Sequence, residues 1–467
     1  MKNTALAKKL VRKKPSINEV RSETGDGVLF ARRYQEVLRY DESAESWMLF
    51  DGNLWKVQAR GKVMRMAKKL IRRCVRKALS DENDAALKWY TKGLERRRLA
   101  NMVFLAQSEL LMADDGQSWD ADLNLVGTPN GTLDLRTGTV MRAEPNDRIT
   151  KRLGAEWNPE AQSDLWENVL ERALPDPQVR AFLQQMAGLS LAGLVGENIL
   201  PMIYGVPRSS KGTVLDAITG SFGDYARAAS LTTVVSRKFE DGGTPRPDLV
   251  ALRGARMVSV YEAGRSLKLD TALLKSLSGS DPITARTLHA KPITFYPSFI
   301  IWIASDKRPE APSEDSGFFE RLCTVPFDVA LKPEERDPDV RARLKLPEHA
   351  SAILAWAYQG LVAYRKAKRL VRPAKVAAAN AEYQDAMAYQ REFFDDVLLF
   401  EPGQSCTTQE LRYAYTKWCE SEGEKALPGG KLGELLRARG AAPGRTFQGR
   451  IWSGVTLRKA PKQESEY

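Results

Sequence analysis

The sequence predicts an α/β protein with a mainly parallel sheet between a helix-rich N-terminal region and a C-terminal module of two helices and a β-wing. Three observations lead to this fold class. Between residues 196 and about 330, short apolar runs alternate with helical patterns, which is typical of a parallel sheet. The first run leads into "GVPRSSKGT" at 205–213, which is close to a phosphate-binding loop. Residues 391–460 contain two helical patterns and then two turn-separated strands.

Length and charge limit the classes of protein that fit. A chain of 467 residues is too long for one core and predicts several domains. The net charge of +12 indicates a polyanionic partner such as nucleic acid, or a chain that is merely basic. No apolar run approaches the ~18 residues of a membrane span. We also find no signal-peptide pattern at the N-terminus, so we expect no membrane partner.

Cysteine and histidine usage argues against a zinc site. The four cysteines lie at 74, 323, 406 and 419, and the two histidines are His289 and His349. None of them has the short paired spacing that zinc ligands need. Scattered thiols are typical of a reducing compartment, so we expect a cytoplasmic protein.

The N-terminal part of the chain is predicted to be helical after a disordered, basic arm. A "DGN" turn between the apolar segments "SWMLF" and "LWKV" predicts a β-hairpin. Residues 62–79 form an amphipathic helix, and residues 62–77 include eight basic and no acidic side chains. Such a face either contacts phosphates or is simply solvated. Further on, residues 127–139 predict a strand between two turns, and Pro-Asp-Pro at 175–177 separates two helices.

The central part of the chain, from residue 196 to about 330, is predicted to contain strands at 198–204, 256–261, 299–304 and 322–327, with helices beginning near Lys211 and Asp270. Pro201 is expected to mark the start of the first strand, since proline cannot donate to a ladder. A capping box from Thr407 to Glu410 starts the first C-terminal helix. The predicted boundaries are a basic arm at 1–27, an α-rich region at 28–125, a helical region at 126–195, an α/β core at 196–345, a helical connector at 346–390, a winged-helix module at 391–460 and a tail at 461–467.

The loop at 205–213 has the context of a phosphate site. An apolar strand ends at Gly205, and a helix begins at Lys211, so backbone N–H groups and the helix N-terminus would face the phosphates. Two departures from the usual pattern stand out: Ser210 replaces the second glycine, and Gly212 replaces the hydroxyl residue after the lysine. Taken alone, the loop is either a nucleotide site or a structural turn.

Polar residues follow the next strands of the core. Glu262 directly follows the predicted strand at 256–261, and Asp306 ends the run "SFIIWIASD". Carboxyl ends of parallel strands share one edge, where α/β folds bind ligands, so both could serve a nucleotide site. Arg321 precedes the last strand, which suits an arginine offered to a neighbouring subunit's γ-phosphate. The alternatives are a surface glutamate at 262 and an ordinary ion pair at 321.

The order of these segments resembles the superfamily 3 helicases, in particular the helicase part of phage and plasmid primase–helicases. The matching segments run from the phosphate loop to the arginine and also include elements on either side of the core. They are "SSKGTVLDAITGSFGDYA", "DLVALRGARMVSVYE", "LSGSDPITAR", "ASDKRP", "ERLCTVPF", "NGTLDLRTG", "AYTKWC" and "IWSGVTL". Several motifs in this order, over about residues 28–460, are far more specific than any one of them.

The resemblance implies an AAA+-like P-loop ATPase core with a C-terminal winged-helix domain, and ATP and Mg²⁺ as ligands. It implies that Lys211 neutralises phosphate charge, Glu262 organises Mg²⁺ or water, Asp306 senses the γ-phosphate and Arg321 completes the next subunit's site. Thr213 or waters would complete the Mg²⁺ coordination with Glu262. The phosphate-binding residues would be Gly205, Ser209, Ser210, Lys211, Gly212 and Thr213.

The resemblance also implies a DNA-binding hairpin inside a ring. Ile283–Leu288 and Ile293–Phe295 can pair, with a tip at residues 289–291. The proposed DNA contacts are His289, Lys291, Arg286 and Lys275. Phosphate contacts would make DNA binding salt-dependent and largely independent of sequence. The alternative is an ordinary surface hairpin.

The predicted function is an ATP-driven DNA helicase of a phage, plasmid or integrated element in a prokaryotic host, acting on single-stranded or forked DNA. The resemblance implies a homo-oligomeric ring, with a hexamer as the expected size, and translocation from 3′ to 5′. A primase or replication initiator would be a separate protein. Two rivals stay open: a catalytically weak ATPase that acts as a DNA-binding loading factor, and a small-molecule phosphotransferase. Asp306 and Ser210 favour the first, while the basic charge and Arg321 argue against the second.

Overall fold

A computed structural model describes residues 21–58, 60–236, 244–261, 268–288, 290–312, 315–421, 426, 429–447 and 449–458. The chain divides into two compact units, Met1–Arg152 and Leu153–Tyr467. Most of the predicted N-terminal arm and the predicted tail at 461–467 lie outside the described residues. No helix in the described part is long and apolar enough to cross a bilayer.

The first unit combines helices with two small sheets. Its helices are α1 (Glu23–Tyr34), α2 (Arg60–Ser80), α3 (Asp84–Lys92) and α4 (Arg96–Ala106). Its strands are β1 (Leu38–Asp41), β2 (Ser46–Phe50), β3 (Trp55–Gln58), β4 (Ala113–Asp114), β5 (Leu125–Thr128), β6 (Gly131–Asp134) and β7 (Thr139–Met141). The sheet orders are β3-β2-β1-β4 and β5-β6-β7.

Several sequence predictions for the first unit are confirmed. The "DGN" turn joins β2 to β3 as an antiparallel pair. Helix α2 covers the predicted amphipathic segment, and Val63, Ala67 and Leu70 are buried along it. Its basic residues lie on the opposite face, because burying an unpaired charge costs several kcal/mol.

Two expectations for the first unit need correction, and a third is confirmed but incomplete. The predicted arm is too long, because α1 begins at Glu23, where the Ser22 side chain accepts a hydrogen bond from the Gly25 N–H. The helix-rich region also contains β1 and β4, which pair in parallel and are too short to give a sequence signal. The strand predicted between two turns at 127–139 is confirmed as β6, but the sequence missed that β5 and β7 flank it in an antiparallel meander, in which the chain turns back at Gly131 with a φ of +145°.

The second unit starts with two helices, α5 (Asp164–Ala173) and α6 (Pro177–Ala192), separated at the predicted Pro-Asp-Pro. Its central strands are β8 (Leu200–Gly205), β9 (Ala226–Ala229), β10 (Met257–Tyr261), β13 (Ile300–Ser305) and β14 (Leu322–Phe327), and a separate hairpin comprises β11 (Ile283–Ala285) and β12 (Ile293–Phe295). Its remaining helices up to residue 397 are α7 (Lys211–Phe222), α8 (Pro247–Val250), α9 (Thr271–Ser278), α10 (Ser316–Arg321), α11 (Val340–Arg343), α12 (Pro347–Ala367) and α13 (Ala374–Val397).

The central sheet is parallel throughout, in the order β14-β8-β13-β10-β9. The predicted parallel sheet is therefore confirmed, with strand ends shifted by one or two residues. Pro201 is the second residue of β8, opposite Cys323. Strand β9 was missed because "ARAA" at an edge carries no apolar run. Every residue of β13 is buried, so this strand lies at the centre of the core.

The β11–β12 hairpin pairs as expected, with Thr284 opposite Thr294. The expected first strand, Ile283–Leu288, is too long, because β11 ends at Ala285. The Arg286 carbonyl accepts a hydrogen bond from the Arg246 N–H at 2.9 Å, and this draws the chain away from β12. Part of the predicted tip, His289, lies outside the described residues.

The C-terminal segment folds as two helices and a hairpin. Its elements are β15 (Leu398–Leu399), β16 (Ser405–Thr407), α14 (Thr408–Ser421), α15 (Gly429–Ala438), β17 (Ala442–Thr446), β18 (Gly449–Ser453) and β19 (Thr456–Leu457). The predicted capping box is present, since Glu410 accepts from the Thr407 N–H and the Thr407 hydroxyl accepts from the Glu410 N–H. Phe393, Tyr415 and Trp452 share its core.

Candidate active site

The loop after β8 has the backbone that a phosphate site requires. Gly205 ends the strand with a φ of +150°, and a Cβ there would collide with the carbonyl oxygen of Phe327 on β14. Only glycine allows the two strands to approach at this point. The chain then turns through residues 206–210 and enters helix α7 at Lys211.

Lys211 is the centre of the site. Its ammonium donates to the carbonyl oxygens of Gly205 and Val206 at 2.9 and 2.6 Å and to the Ser209 hydroxyl at 3.1 Å. It also forms an ion pair with Asp306 Oδ1 at 2.7 Å. The Lys211 side chain is only 8% exposed, whereas that of Asp306 is 56% exposed. A buried cation at the carboxyl edge of a parallel sheet is suited to binding an anion in place of these partners.

Ser210 adopts a left-handed conformation, with a φ of +65°, immediately before α7. This conformation is costly for a residue with a Cβ and favours glycine. The serine that departs from the usual loop pattern therefore stands where a glycine would relieve backbone strain. Its side chain makes no capping hydrogen bond that would offset the cost.

We expect Ser210→Gly to stabilise the second unit by about 1 kcal/mol, because it removes this strain. Thermal and urea unfolding of the full chain would measure the change. Ser209→Gly is the matched control: Ser209 donates to the Val206 carbonyl and accepts from Lys211, so its loss should destabilise. A Ser210→Gly variant no more stable than the natural chain would contradict the strain argument.

A second set of polar contacts, centred on an arginine, lies beside the loop. Arg341 on α11 donates to the Thr213 hydroxyl at 3.3 Å and lies 3.5 Å from the Asp216 carboxylate. A Cβ at Gly212 would lie 2.6 Å from Arg341 Nη2, so the absence of a side chain at 212 makes room for the guanidinium. Glycine at 212 is compatible with this contact but not required by it, because the guanidinium ends a flexible side chain that is 57% exposed.

Tyr261 links the same cluster to the next strand of the sheet. Its hydroxyl, at the end of β10, donates to Asp216 Oδ1. Partial burial and then this hydrogen bond raise the pKa of Tyr261 above its usual value of 10. Tyr261 therefore stays a protonated donor near neutral pH and holds the end of β10 against α7.

Sequence reasoning missed Arg341 and Asp216. Asp216 follows Thr213 by three residues on α7, and this helical spacing places the two side chains on one face. This spacing was the sequence signal that could have identified Asp216. Arg341 lies 128 residues after Thr213, and nothing in its local sequence indicates the contact.

A cavity of about 600 Å³ opens over the loop and is large enough for a nucleotide. Its charged lining residues are the basic Arg172, Arg208, Lys211, Arg336 and Arg341 and the acidic Asp306, Glu335 and Asp337. Its apolar lining residues are Leu165, Val169, Leu331, Pro338 and Val340. Phosphates need basic residues of this kind, and an aromatic base needs an apolar surface.

The structure brings together most of the predicted nucleotide-site residues. Gly205, Ser209, Ser210, Lys211, Gly212, Thr213 and Asp306 lie at the same edge of the sheet. Glu262 lies outside the described residues. Its neighbour Tyr261 is level with Ala304 in β13, two residues before Asp306, so β10 ends at this edge.

Arg321 lies at the opposite end of the strands from the loop. It ends α10 immediately before Leu322, which pairs with Leu200 at the start of β8. Phe327, which lies beside Gly205, is six residues further along β14, or about 20 Å away. Arg321 Nη1 donates to the Gly317 carbonyl, and its buried Nε has no partner in the described part of the chain.

The predicted DNA-binding residues have different surroundings. The Lys275 ammonium pairs with Asp315 Oδ1 at 2.8 Å and ties α9 to the start of α10. Although burial acts against it, this contact and the Phe318 N–H lower the pKa of the Asp315 carboxyl. Lys291 is exposed just before β12, and Arg286 directly follows β11. His289 lies outside the described residues.

Comparisons with known proteins find similarity to viral helicases and primases. Residues 27–175 match the family model "D5 N terminal like". The chain is 23% identical over 299 residues to "Putative helicase L207/L206" of Acanthamoeba polyphaga mimivirus, covering 60% of this chain and 31% of that protein. It is 23% identical over 282 residues to "Putative helicase 022R" of Frog virus 3, covering 56% and 29%.

Two further matches complete the comparison. "Putative primase C962R" of African swine fever virus is 25% identical over 270 residues, covering 56% of this chain and 26% of that protein. The chain thus spans less than a third of the length of these relatives. The solved structure of the NrS-1 C-terminal region aligns at 10% identity with a TM-score of 0.45, covering 89% and 95% of the two chains. Together, the family match and the viral relatives support a relationship between this chain and the primase–helicase proteins.

Proposed function

We propose that this chain is an ATP-dependent DNA helicase of the superfamily 3 type, with an AAA+-like P-loop core, that serves replication of a phage, plasmid or integrated element. One observation carries the proposal: the buried Lys211 ammonium at the end of β8, facing Asp306 from the next strand. It lines a cavity of about 600 Å³ together with four arginines, three carboxylates and several apolar side chains. The similarity to viral helicases supports the substrate class.

In this proposal, each residue around the cavity has a separate role. Lys211 exchanges its carbonyl and carboxylate partners for phosphate oxygens of ATP. Thr213, whose hydroxyl lies in the first turn of α7, would hold Mg²⁺ together with Glu262. The ion supplies charge neutralisation at the β- and γ-oxygens. Asp306 would meet the γ-phosphate, and Arg341, which donates to the Thr213 hydroxyl, would hold that hydroxyl in place.

The proposal includes a homo-oligomeric ring, with six subunits as the expected number. Arg321 lies at the sheet edge remote from its own Lys211, which suits an arginine that serves the neighbouring subunit. The substrate would be single-stranded or forked DNA, gripped by Lys291 at the hairpin. The C-terminal helices and hairpin would act as a winged-helix DNA-binding domain. A separate primase or replication initiator would act with it.

The proposal is tested by ATP hydrolysis with and without single-stranded DNA, followed by displacement of a labelled strand from forked DNA. DNA should stimulate hydrolysis, and strand displacement should require ATP. ATP hydrolysis without any response to DNA would favour a phosphotransferase-like enzyme and overturn the helicase proposal.

A second candidate is a catalytically weak ATPase that acts as a DNA-binding loading factor. The ion pair between Lys211 and Asp306 favours it, because a carboxylate here neutralises the lysine and repels the γ-phosphate. This candidate predicts that DNA binds without measurable hydrolysis. It also makes Asp306 the residue that limits turnover.

Asp306→Asn separates these two functions. If Asp306 limits turnover, as the second candidate states, the amide removes one negative charge and adds a donor, so ATP should bind up to about tenfold more tightly and hydrolysis should rise. ATP titration and steady-state hydrolysis measure both. Asp337→Asn is the matched control, since Asp337 lines the same cavity but pairs with Arg343. A fall in hydrolysis with Asp306→Asn would make the carboxylate part of the catalytic machinery and contradict the weak-ATPase candidate.

A further inference from the structure

A second cleft, of about 630 Å³, lies in the C-terminal segment between α14, α15 and the β17–β18 hairpin. Four arginines line it: Arg412 from α14, Arg437 from α15, Arg445 from β17 and Arg450 from β18. All four are exposed. No carboxylate lines the cleft in the described part of the chain. Its charge is therefore of one sign.

Three of the arginines, Arg412, Arg445 and Arg450, stand in positions that cost free energy without an anion. Arg445 and Arg450 lie directly opposite each other on the hairpin, where like charges destabilise strand pairing. The Arg412 guanidinium lies against Gly429, at the N-terminus of α15, which is the positive end of the helix dipole. None of the four arginines has an ion-pair partner among the residues that the structure describes. A polyanion in the cleft would relieve this repulsion.

Aromatic residues complete the surface. Phe447 is fully exposed at the turn between β17 and β18, next to the two opposed arginines. Trp452 lies inside the cleft, with the Arg437 guanidinium 5.6 Å from its ring centroid. A fully exposed phenylalanine beside phosphate-binding charges offers a stacking face for a nucleic-acid base. Duplex DNA presents such a face only at its ends, whereas every unpaired base presents one.

We propose that this cleft binds single-stranded DNA, with backbone phosphates on Arg412, Arg437, Arg445 and Arg450 and an unpaired base stacked on Phe447. The inference deepens the proposed function, on which its choice of DNA rests, because it names the surface that would hold the strand outside the ATPase core. Charge supplies affinity without sequence preference, and stacking distinguishes an open strand from a duplex.

The test uses the full chain without nucleotide and the fluorescence anisotropy of labelled oligothymidine, from about 50 to 200 mM salt. Arg445→Ala/Arg450→Ala should reduce the salt slope of log affinity by about 0.7 for each lost phosphate contact. Arg445→Lys/Arg450→Lys should keep most of the slope, because the charges remain. Phe447→Ala should weaken binding by about fivefold to a hundredfold and leave the slope unchanged.

Matched controls lie in the same segment. Tyr413 is also exposed on α14 but does not line the cleft, and Lys417 pairs with Glu420. Tyr413→Ala and Lys417→Ala should bind as the natural chain does. Unchanged slope in the double alanine variant, unchanged affinity in Phe447→Ala, equal affinity for a blunt duplex, or tighter binding of oligouridine would each overturn the proposal. Measurement without nucleotide separates this failure from a failure of the ATPase proposal.

Discussion

Lys211→Ala is expected to abolish ATP hydrolysis, with a loss of at least about a hundredfold in kcat/KM. The physical reason is the burial of its ammonium beside the Gly205 and Val206 carbonyls, where no other lysine reaches in the described part of the chain. In this low-dielectric position, one positive charge stabilises the developing phosphate charge far more than in water. Steady-state hydrolysis would measure the loss of turnover, and ATP titration would measure the loss of affinity for ATP.

The control for Lys211→Ala is Lys366→Ala, at an exposed position in the last turn of α12. It removes the same charge from the chain and should leave hydrolysis unchanged. The Lys211 variant should still bind oligothymidine, since the arginine cleft lies elsewhere. Hydrolysis that survives in Lys211→Ala would mean that the loop after β8 is a structural turn, and the ATPase proposal would be wrong.

Arg321→Ala is expected to abolish hydrolysis while ATP still binds. Since Arg321 lies about 20 Å from the loop along β14, its loss should leave the cavity of its own chain intact. An arginine that completes a neighbour's phosphate site contributes about 10³ or more to turnover. The measurement compares the Kd for ATP with kcat. Arg369→Ala, at an exposed site after α12, is the charge-matched control.

Mixing the two inactive variants tests whether the site is shared between subunits. In a mixed ring, an Arg321→Ala subunit with intact Lys211 can lie beside a Lys211→Ala subunit with intact Arg321. About a quarter of the interfaces in an equal random mixture are then complete, and hydrolysis should recover to about that fraction. If both residues acted within one chain, mixing would restore nothing. No recovery would therefore contradict the shared site.

The parallel core was predictable because its signals are local. An apolar strand, a glycine and a lysine at a helix start placed Gly205 and Lys211 correctly, and a strand end placed Asp306. Strand β9 was not predictable, because an edge strand of small residues has no apolar period. The extent of α1 was missed because its N-cap, Ser22, lies within a polar stretch.

The side-chain partners within the site were not predictable, because they come from distant parts of the chain. The sequence indicated that Asp306 stands near the loop after β8, but not that it pairs with Lys211. It showed that Gly212 breaks the loop pattern, but not that Arg341 occupies the space. Both contacts depend on how strands and helices meet at the sheet edge, and no local periodicity encodes that.

By itself, the sequence determined the parallel α/β core, the phosphate-type loop and the two-helix C-terminal module, since each follows from hydrophobic periodicity and turn chemistry between near neighbours. The tertiary structure alone decided which charges meet. It joined Lys211 to Asp306, placed Arg321 at the far edge of the sheet, and gathered four arginines around one cleft. Such electrostatic contacts depend on distances of a few ångströms between residues far apart in the chain, and only the packing of the sheet and helices fixes those distances.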